Sequence, residues 1–233
     1  MLKSNKVSGF DLFSLGLLVY LALAMDLFVI QIDRLLWGRK ITISTFFQNS
    51  WYVLVVHWCI VIIIWIISGL LVLESLNRRK AIREVISKGR NNELVSSLFI
   101  AVVCSILLAL VESRLFSSQI PQYFNEYQKF IQTHGSMGFV VWIFQNIYYC
   151  IESILVVLLL ALIQRAGEIW FKFDRFPYGG IGLLFTWGIS HLTHGLLSGL
   201  WICLFSMIFG WIFIETKKHW LPSLVFLWIM FFI

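Results

Sequence analysis

Charged residues are scarce in this chain of 233 residues, which has 18 lysines and arginines and 12 aspartates and glutamates, together 13% of the sequence. A soluble domain of ordinary composition carries about twice that fraction. Hydrophobic residues make up 60% of the chain and aromatic residues 17%. This balance excludes a soluble globular fold and indicates a protein whose surface is largely in contact with membrane lipid.

Cysteine motifs and continuous basic patches are also lacking. The four cysteines (Cys59, Cys104, Cys150 and Cys203) lie inside apolar runs and form no CxxC pair, which excludes a disulfide framework and a zinc knuckle. The net charge of +6 comes from short basic stretches between apolar runs, where such residues orient membrane helices. We therefore predict no nucleic-acid partner and no bound cofactor.

Long apolar runs divide the chain into seven predicted membrane-spanning helices. A helical crossing of a bilayer core needs about 20 apolar residues, and its backbone must satisfy its own hydrogen bonds. The predicted spans are 13–32, 52–73, 94–111, 138–164, 179–194, 195–214 and 222–233, of which the fifth and seventh are short. We predict an all-α, polytopic transmembrane bundle, with N-terminal helices and loops in residues 1–137 and a second group of core helices in residues 138–233.

The basic residues are distributed unequally between the two sides of these spans. Of the 18 lysines and arginines, 13 fall on the side that holds the N-terminus and 5 on the other side. Basic loops stay cytoplasmic. The sequence therefore predicts a multi-pass protein of the cell membrane with a cytoplasmic N-terminus and an extracytoplasmic C-terminus.

Two polar segments between the predicted spans have the periodicity of amphipathic helices. The basic segment 77–93 fits a helix on an anionic membrane surface, and it also fits a simple cytoplasmic loop. The segment 121–133 places aromatic and aliphatic side chains on one face, which fits an interaction site or packing against the bundle. That face contains Phe124, Tyr127, Phe130 and Ile131.

Few ionisable residues lie within the predicted spans, and each is a candidate functional residue because burial in lipid is costly. Asp26 lies near the outer end of the first span, where it can reach lipid headgroups or pair with Arg34. His57 lies among apolar residues of the second span, where a backbone carbonyl can satisfy its imidazole. We interpret both Asp26 and His57 as structural residues.

Glu152 and His191 are predicted to lie at the same depth. Each is 12 residues from the cytoplasmic end of its own span, which corresponds to about 18 Å of helix. Such a pair can hold a water molecule for attack on a peptide carbonyl, with the glutamate as base and the histidine as donor to the oxyanion. The pair also fits buried polar contacts that only hold two helices together.

His194 follows His191 by three residues, which raises the question of a metal site formed with Glu152. Paired histidine ligands on a helix usually have a spacing of four, as in HExxH. We therefore predict no metal here. The GxxxG sequence 195–199 indicates close helix packing rather than chemistry.

The C-terminal part of the chain resembles the CPBP family, the CAAX-protease and bacteriocin-processing (Abi) group of intramembrane glutamate peptidases. That family carries EExxxR on one helix, FxxxH on the next and HxxxN on the last. Here Trp187-Gly-Ile-Ser-His191 is similar to FxxxH, and Glu152 takes the place of an acidic residue of the first motif. The resemblance covers about residues 138–233 and implies that Glu152 activates water with the assistance of His191.

The sequence departs from the family motifs at several positions. Glu152 is a single glutamate, and valines stand where the first motif has its arginine. Phe226 and Met230 occupy the positions of the last histidine and asparagine, which leaves His194 as the nearby replacement donor. Two functions remain open: an endopeptidase acting on a membrane-associated peptide or protein through Glu152, His191 and His194, or an inactive relative that binds a partner protein or bacteriocin.

Overall fold

The structure, a computed structural model, describes residues 7–37, 43–86, 91–116 and 122–232. Within these ranges the chain folds into helices and contains no β-strand. The helices are α1 (Gly9–Trp37), α2 (Trp51–Arg78), α3 (Ile82–Val85), α4 (Asn91–Phe116), α5 (Gln122–His134), α6 (Gly138–Phe171), α7 (Tyr178–Leu183), α8 (Leu196–Glu215) and α9 (Trp220–Phe232).

Membrane-length helices account for most of the described chain. Five described segments are long and apolar enough to cross a membrane: Gly9–Trp37, Trp51–Arg78, Glu93–Phe116, Tyr123–Phe171 and Leu196–Glu215. The helix α9 is equally apolar but has only 13 residues. The prediction of an all-α, multi-pass membrane protein is confirmed, and the count of seven spans stays a prediction.

The helix α6, with 34 residues, lies at the centre of the bundle. It packs against α1, α2, α5, α7 and α9, so helices of both predicted groups share one core. The residues from Leu155 to Leu162 are all buried. A helix that is apolar and buried on every side is typical of the centre of a bundle.

The outer surface of the bundle is apolar. On α2, Leu70 and Leu71 are about 60% exposed, whereas Trp65 on the opposite face is 1% exposed and donates a hydrogen bond to the carbonyl of Ala22. Large exposed aliphatic side chains also cover α4, including Leu107. Such a surface is stable in contact with lipid acyl chains but not in water.

The predicted fifth span is not a continuous α-helix. The helix α7 ends at Leu183 and is followed by a π-helical turn over Leu184–Gly188 and a 3-10 turn over His191–His194. Gly195 then has a φ of 133°, which favours glycine, and α8 begins at the next residue. Single π-helical turns are frequent at functional sites.

A pair of glycines allows α7 and α8 to approach closely. A Cβ atom on Gly180 would lie 2.9 Å from the backbone oxygen of Ser206 and 3.0 Å from Cα of Gly210. On the other helix, a Cβ atom on Gly210 would meet the backbone of Gly180 in turn. The contact is therefore between backbones and admits no side chain on either helix.

Ion pairs join the helix ends that carry most of the basic residues. Arg79 lies 2.5 Å from Asp11, and Lys218 lies 2.7 Å from Glu168. Arg165 contacts both Glu168 and Glu84 at 3.3 Å. These contacts bring the start of α1 and the ends of α2, α6 and α8 to one end of the bundle.

Both predicted amphipathic segments pack partly against the bundle, and the first of them forms only a short helix. In the basic segment, the helix α3 has four residues, and Ala81 and Val85 are buried in the main core. The second segment forms α5, whose Phe130 is buried beside Trp58, while Phe124 stays 58% exposed. The apolar faces of both segments are therefore used, at least in part, to pack against the bundle.

Candidate functional site

Polar side chains converge on a cavity of about 390 Å³ inside the bundle. Glu152 and His191 both line it, so the structure brings the two predicted residues to the same space. A second, smaller cavity of about 60 Å³ is also lined by both residues. The other ionisable or amide side chains that line the larger cavity are Asp26, His57, Glu112, Glu126, Gln145, Tyr148 and Tyr149.

Glu152 is held by a hydrogen bond from Trp187. Trp187 Nε1 donates a hydrogen bond of 2.9 Å to Glu152 Oε1, and both side chains are buried. Trp187 lies in the π-helical turn that follows α7. The indole donor orients the carboxyl group and offsets part of the cost of burying it.

His191 is oriented by the same tryptophan. Its Nδ1 lies 2.7 Å from the carbonyl oxygen of Trp187. A carbonyl can only accept, so Nδ1 carries the hydrogen, and Nε2 of the neutral ring is an acceptor. The predicted role of His191 as an oxyanion donor therefore requires the protonated ring, whereas the neutral ring is suited to accept a proton.

His194 lies at the end of the 3-10 turn, and its side chain falls outside the described part of the structure. Within the described residues, no three histidine, cysteine, aspartate or glutamate side chains are arranged to hold a metal ion.

The structure corrects the partners that the sequence suggested for Asp26 and His57, which contact each other. His57 Nε2 lies 2.9 Å from Asp26 Oδ1, and His57 Nδ1 lies 2.5 Å from Asp33 Oδ2. Arg34 donates a hydrogen bond to Gln31. With carboxyl oxygens at both ring nitrogens, His57 is an imidazolium unless one carboxyl group carries the proton.

Sequence reasoning missed Asp33 because it lies just beyond the apolar run of the first span. A signal was present, since Asp26 and Asp33 are seven residues apart and therefore lie on the same face of a helix. We name these two residues with His57 the Asp26–His57–Asp33 cluster. It joins α1 to α2 at the wall of the cavity.

A second polar chain links α5 to the cavity. Gln145 Nε2 donates to the hydroxyl of Tyr149 at 2.8 Å, and that hydroxyl donates to Glu126 Oε1 at 3.3 Å. Gln145 is 2% exposed, and its Oε1 accepts no hydrogen bond from the described residues. No sequence pattern indicated Gln145, because the hydrogen-bond partner of an amide within a long apolar helix cannot be identified from the sequence.

Phe226 lies in a stack of aromatic rings between α8 and α9. Its ring stacks on Phe205 and Phe209, with centroid distances of 5.6 and 5.0 Å, and it is fully buried. Met230, one turn further along α9, lines the cavity. The part of the bundle around Phe226 is therefore held by apolar packing.

A comparison of the chain with family models, curated proteins and solved structures finds no match. The features of the molecule that bear on function are the cavity, the Trp187–Glu152 hydrogen bond and the orientation of His191.

Proposed function

We propose that this protein is a CPBP-like intramembrane endopeptidase that acts on a membrane-associated peptide or protein. One observation carries the proposal: Glu152 and His191, on different helical segments, line the same polar cavity within an apolar bundle. Intramembrane hydrolysis requires such a space, because water and a general base must be held where the surroundings exclude both.

In the proposed reaction, Glu152 acts as the general base. Its carboxylate takes a proton from water as the oxygen attacks the peptide carbonyl, and the proton is then passed to the leaving amine. Trp187 holds the carboxylate in position. His191 serves as a second acid–base group when its ring is protonated, and His194 is the candidate for an additional donor.

The proposal includes seven membrane crossings formed by α1, α2, α4, α6, the broken segment 178–194, α8 and α9. The ion-paired end of the bundle is cytoplasmic, which places the N-terminus inside and the C-terminus outside the cell membrane. The cavity then lies in the half of the bundle nearer the extracytoplasmic face, since Glu112 is near the outer end of α4. Reporter fusions after Ile233 and in the segment 77–90 test this orientation.

An alternative function is supported by the stack around Phe226. Because the position of a family histidine is filled by a buried aromatic ring, the protein would bind a partner membrane protein or bacteriocin without cleaving it. Such a protein would keep the cavity as a binding site. Glu152 would then act only as a hydrogen-bonding group.

The substitution Glu152→Gln separates these functions. Peptide termini in the membrane fraction are compared by mass spectrometry between cells that express the wild-type protein and cells that express the variant. If the protein is a peptidase, the termini that its cleavage produces disappear in cells with Glu152→Gln and persist in cells with the matched control Glu93→Gln. The control removes an exposed carboxylate near the start of α4. Unchanged termini in a folded Glu152→Gln protein would contradict the peptidase proposal.

A further inference from the structure

A stripe of polar side chains runs along the side of α6 that faces the cavity. Its members have the spacing i, i+3, i+4 and i+7, which places them on one face of the helix: Gln145, Tyr148, Tyr149 and Glu152. All four line the cavity of about 390 Å³. Gln145 and Glu152 therefore mark two points along the length of the cavity, separated by about 10 Å of helix.

Gln145 lies where the cavity meets a depression at the surface of the bundle. This depression has a volume of about 370 Å³ and shares Phe47, Glu126 and Gln145 with the lining of the cavity. Its lining also includes the exposed side chain of Lys129. A chain that passes from this depression to Glu152 therefore passes Gln145.

The side-chain amide of Gln145 is buried, and only one of its two polar atoms is satisfied. The residue is 2% exposed, and its Nε2 donates a hydrogen bond of 2.8 Å to the hydroxyl of Tyr149. Its Oε1 accepts no hydrogen bond from the described residues. A buried acceptor without a donor is destabilising, and a ligand that donates to it recovers that loss.

The unsatisfied group is a single neutral acceptor and not a free charge. Besides Glu152, the carboxyl groups that line the cavity have polar partners: Asp26 with His57, Glu112 with Trp201 and Glu126 with Tyr149. An ammonium group carries three donors that need acceptors, whereas an amide carries one N–H on its main chain. Gln145 Oε1 therefore fits a neutral N–H donor better than a cation.

An extended peptide supplies such donors and needs acceptors in return. Its main-chain N–H groups have no partner within the segment, and each one that stays unpaired in apolar surroundings is costly. An extended chain rises about 3.3 Å per residue, so the interval of about 10 Å between Gln145 and Glu152 corresponds to about three residues.

We propose that Gln145 Oε1 accepts a hydrogen bond from a main-chain N–H of the bound peptide, about three residues from the bond that faces Glu152. The proposal rests on the proposed function in calling this peptide a substrate, while the contact itself concerns binding alone. Gln145 thereby sets the register of the extended segment. Because proline has no main-chain N–H, it is excluded at the position that contacts Gln145.

The test measures binding without cleavage. The full chain with Glu152→Gln is purified in detergent and mixed with a pool of acetylated heptapeptide amides that have Ala, Leu, Val or Phe at each central position. Retained peptides are identified by mass spectrometry, and the tightest binder is synthesised again with an N-methyl group on each amide in turn. We expect N-methylation at one position to weaken binding by at least ~5-fold, as for loss of a donor to a buried acceptor. A pool from which no peptide is retained would overturn the proposal.

A variant assigns the sensitive position to Gln145. The substitution Gln145→Met keeps an unbranched side chain and removes the acceptor, so the effect of N-methylation at that position should fall below ~2-fold, as expected for two groups that interact directly. Asn146→Leu is the matched control and should leave the N-methylation pattern unchanged. It removes the neighbouring amide of α6, whose Nδ2 donates to the carbonyl of Trp142.

The contrary result is equally clear. An unchanged N-methylation pattern in a folded Gln145→Met protein would show that Oε1 accepts hydrogen bonds from water only, and would overturn the proposal. Thermal unfolding verifies that each variant is folded, and Gln145→Leu replaces Gln145→Met if the latter does not fold.

Cleavage of the same peptide separates this proposal from the proposed function. If the chain that retains Glu152 cleaves the peptide, the broken bond should lie about three residues from the sensitive N–H. A broken bond directly beside that N–H would overturn the register. Coupling to Gln145 without any cleavage would end the peptidase proposal and leave the contact intact, whereas cleavage without coupling would end the contact and leave the peptidase proposal intact.

Discussion

Trp187 donates a hydrogen bond of 2.9 Å to Glu152 across 35 positions of sequence, and its own carbonyl oxygen orients His191. One residue in a π-helical turn therefore positions both groups of the candidate site. A continuous α-helix would turn this indole to a different face, because each residue of an α-helix is rotated by about 100° from the previous one. The local irregularity of segment 178–194 is thus directly related to the site.

The first prediction concerns Trp187→Phe, which keeps an aromatic ring but removes the indole donor. We expect processing to fall by about 10-fold and the free energy of unfolding to fall by about 1.5–3 kcal/mol, the usual contribution of a hydrogen bond to a charged group. Cleavage rate and thermal unfolding are measured together. Trp211→Phe, at an exposed position of α8, is the control and should change neither quantity.

A second prediction concerns the Asp26–His57–Asp33 cluster. Replacing His57 by leucine removes the ring that contacts both carboxyl groups and leaves the fully buried Asp33 without this partner, so stability should fall by about 3–5 kcal/mol. Addition of Asp33→Asn to His57→Leu should recover a large part of that loss, because the buried carboxyl group left without His57 is removed. Unfolding in detergent measures both variants, and the absence of any recovery would show that the two aspartates do not interact through His57.

The third prediction addresses Phe226. The substitution Phe226→His should lower the melting temperature without increasing cleavage, since the imidazole would replace a ring stacked on Phe205 and Phe209 rather than face the cavity. The loss should be about 3 kcal/mol, as for other truncations of buried aromatic side chains. A gain in cleavage would mean that the position can still supply a catalytic donor.

A fourth prediction tests the approach of α7 and α8. Gly210→Ala places a methyl group against the backbone of Gly180, so we expect a destabilisation of about 1–3 kcal/mol and a displaced α7. At Gly69 the nearest atom to an added Cβ is the side-chain methyl of Leu155 at 3.3 Å, which can move. Gly69→Ala is therefore the matched control, and equal melting temperatures of the two variants would contradict the close approach.

Composition and the length of apolar runs determined the class of this protein, because a helix in lipid satisfies its hydrogen bonds within its own segment. The resulting helices extend beyond several predicted spans: α1 covers Gly9–Trp37 and α2 covers Trp51–Arg78. The matched depths of Glu152 and His191 also followed from counting residues along helices. The proximity of Glu152 and His191 at one cavity could therefore be predicted from the sequence.

Only the tertiary structure decided which polar groups meet. The bonds of His57 to Asp26 and Asp33, and of Trp187 to Glu152, join residues 24 to 35 positions apart and depend on how each helix is rotated against its neighbour. Sequence periodicity specifies the face of a single helix but not the partner of that face. The lining of the cavity, including Gln145, results from packing of the helices around α6, which no local pattern encodes.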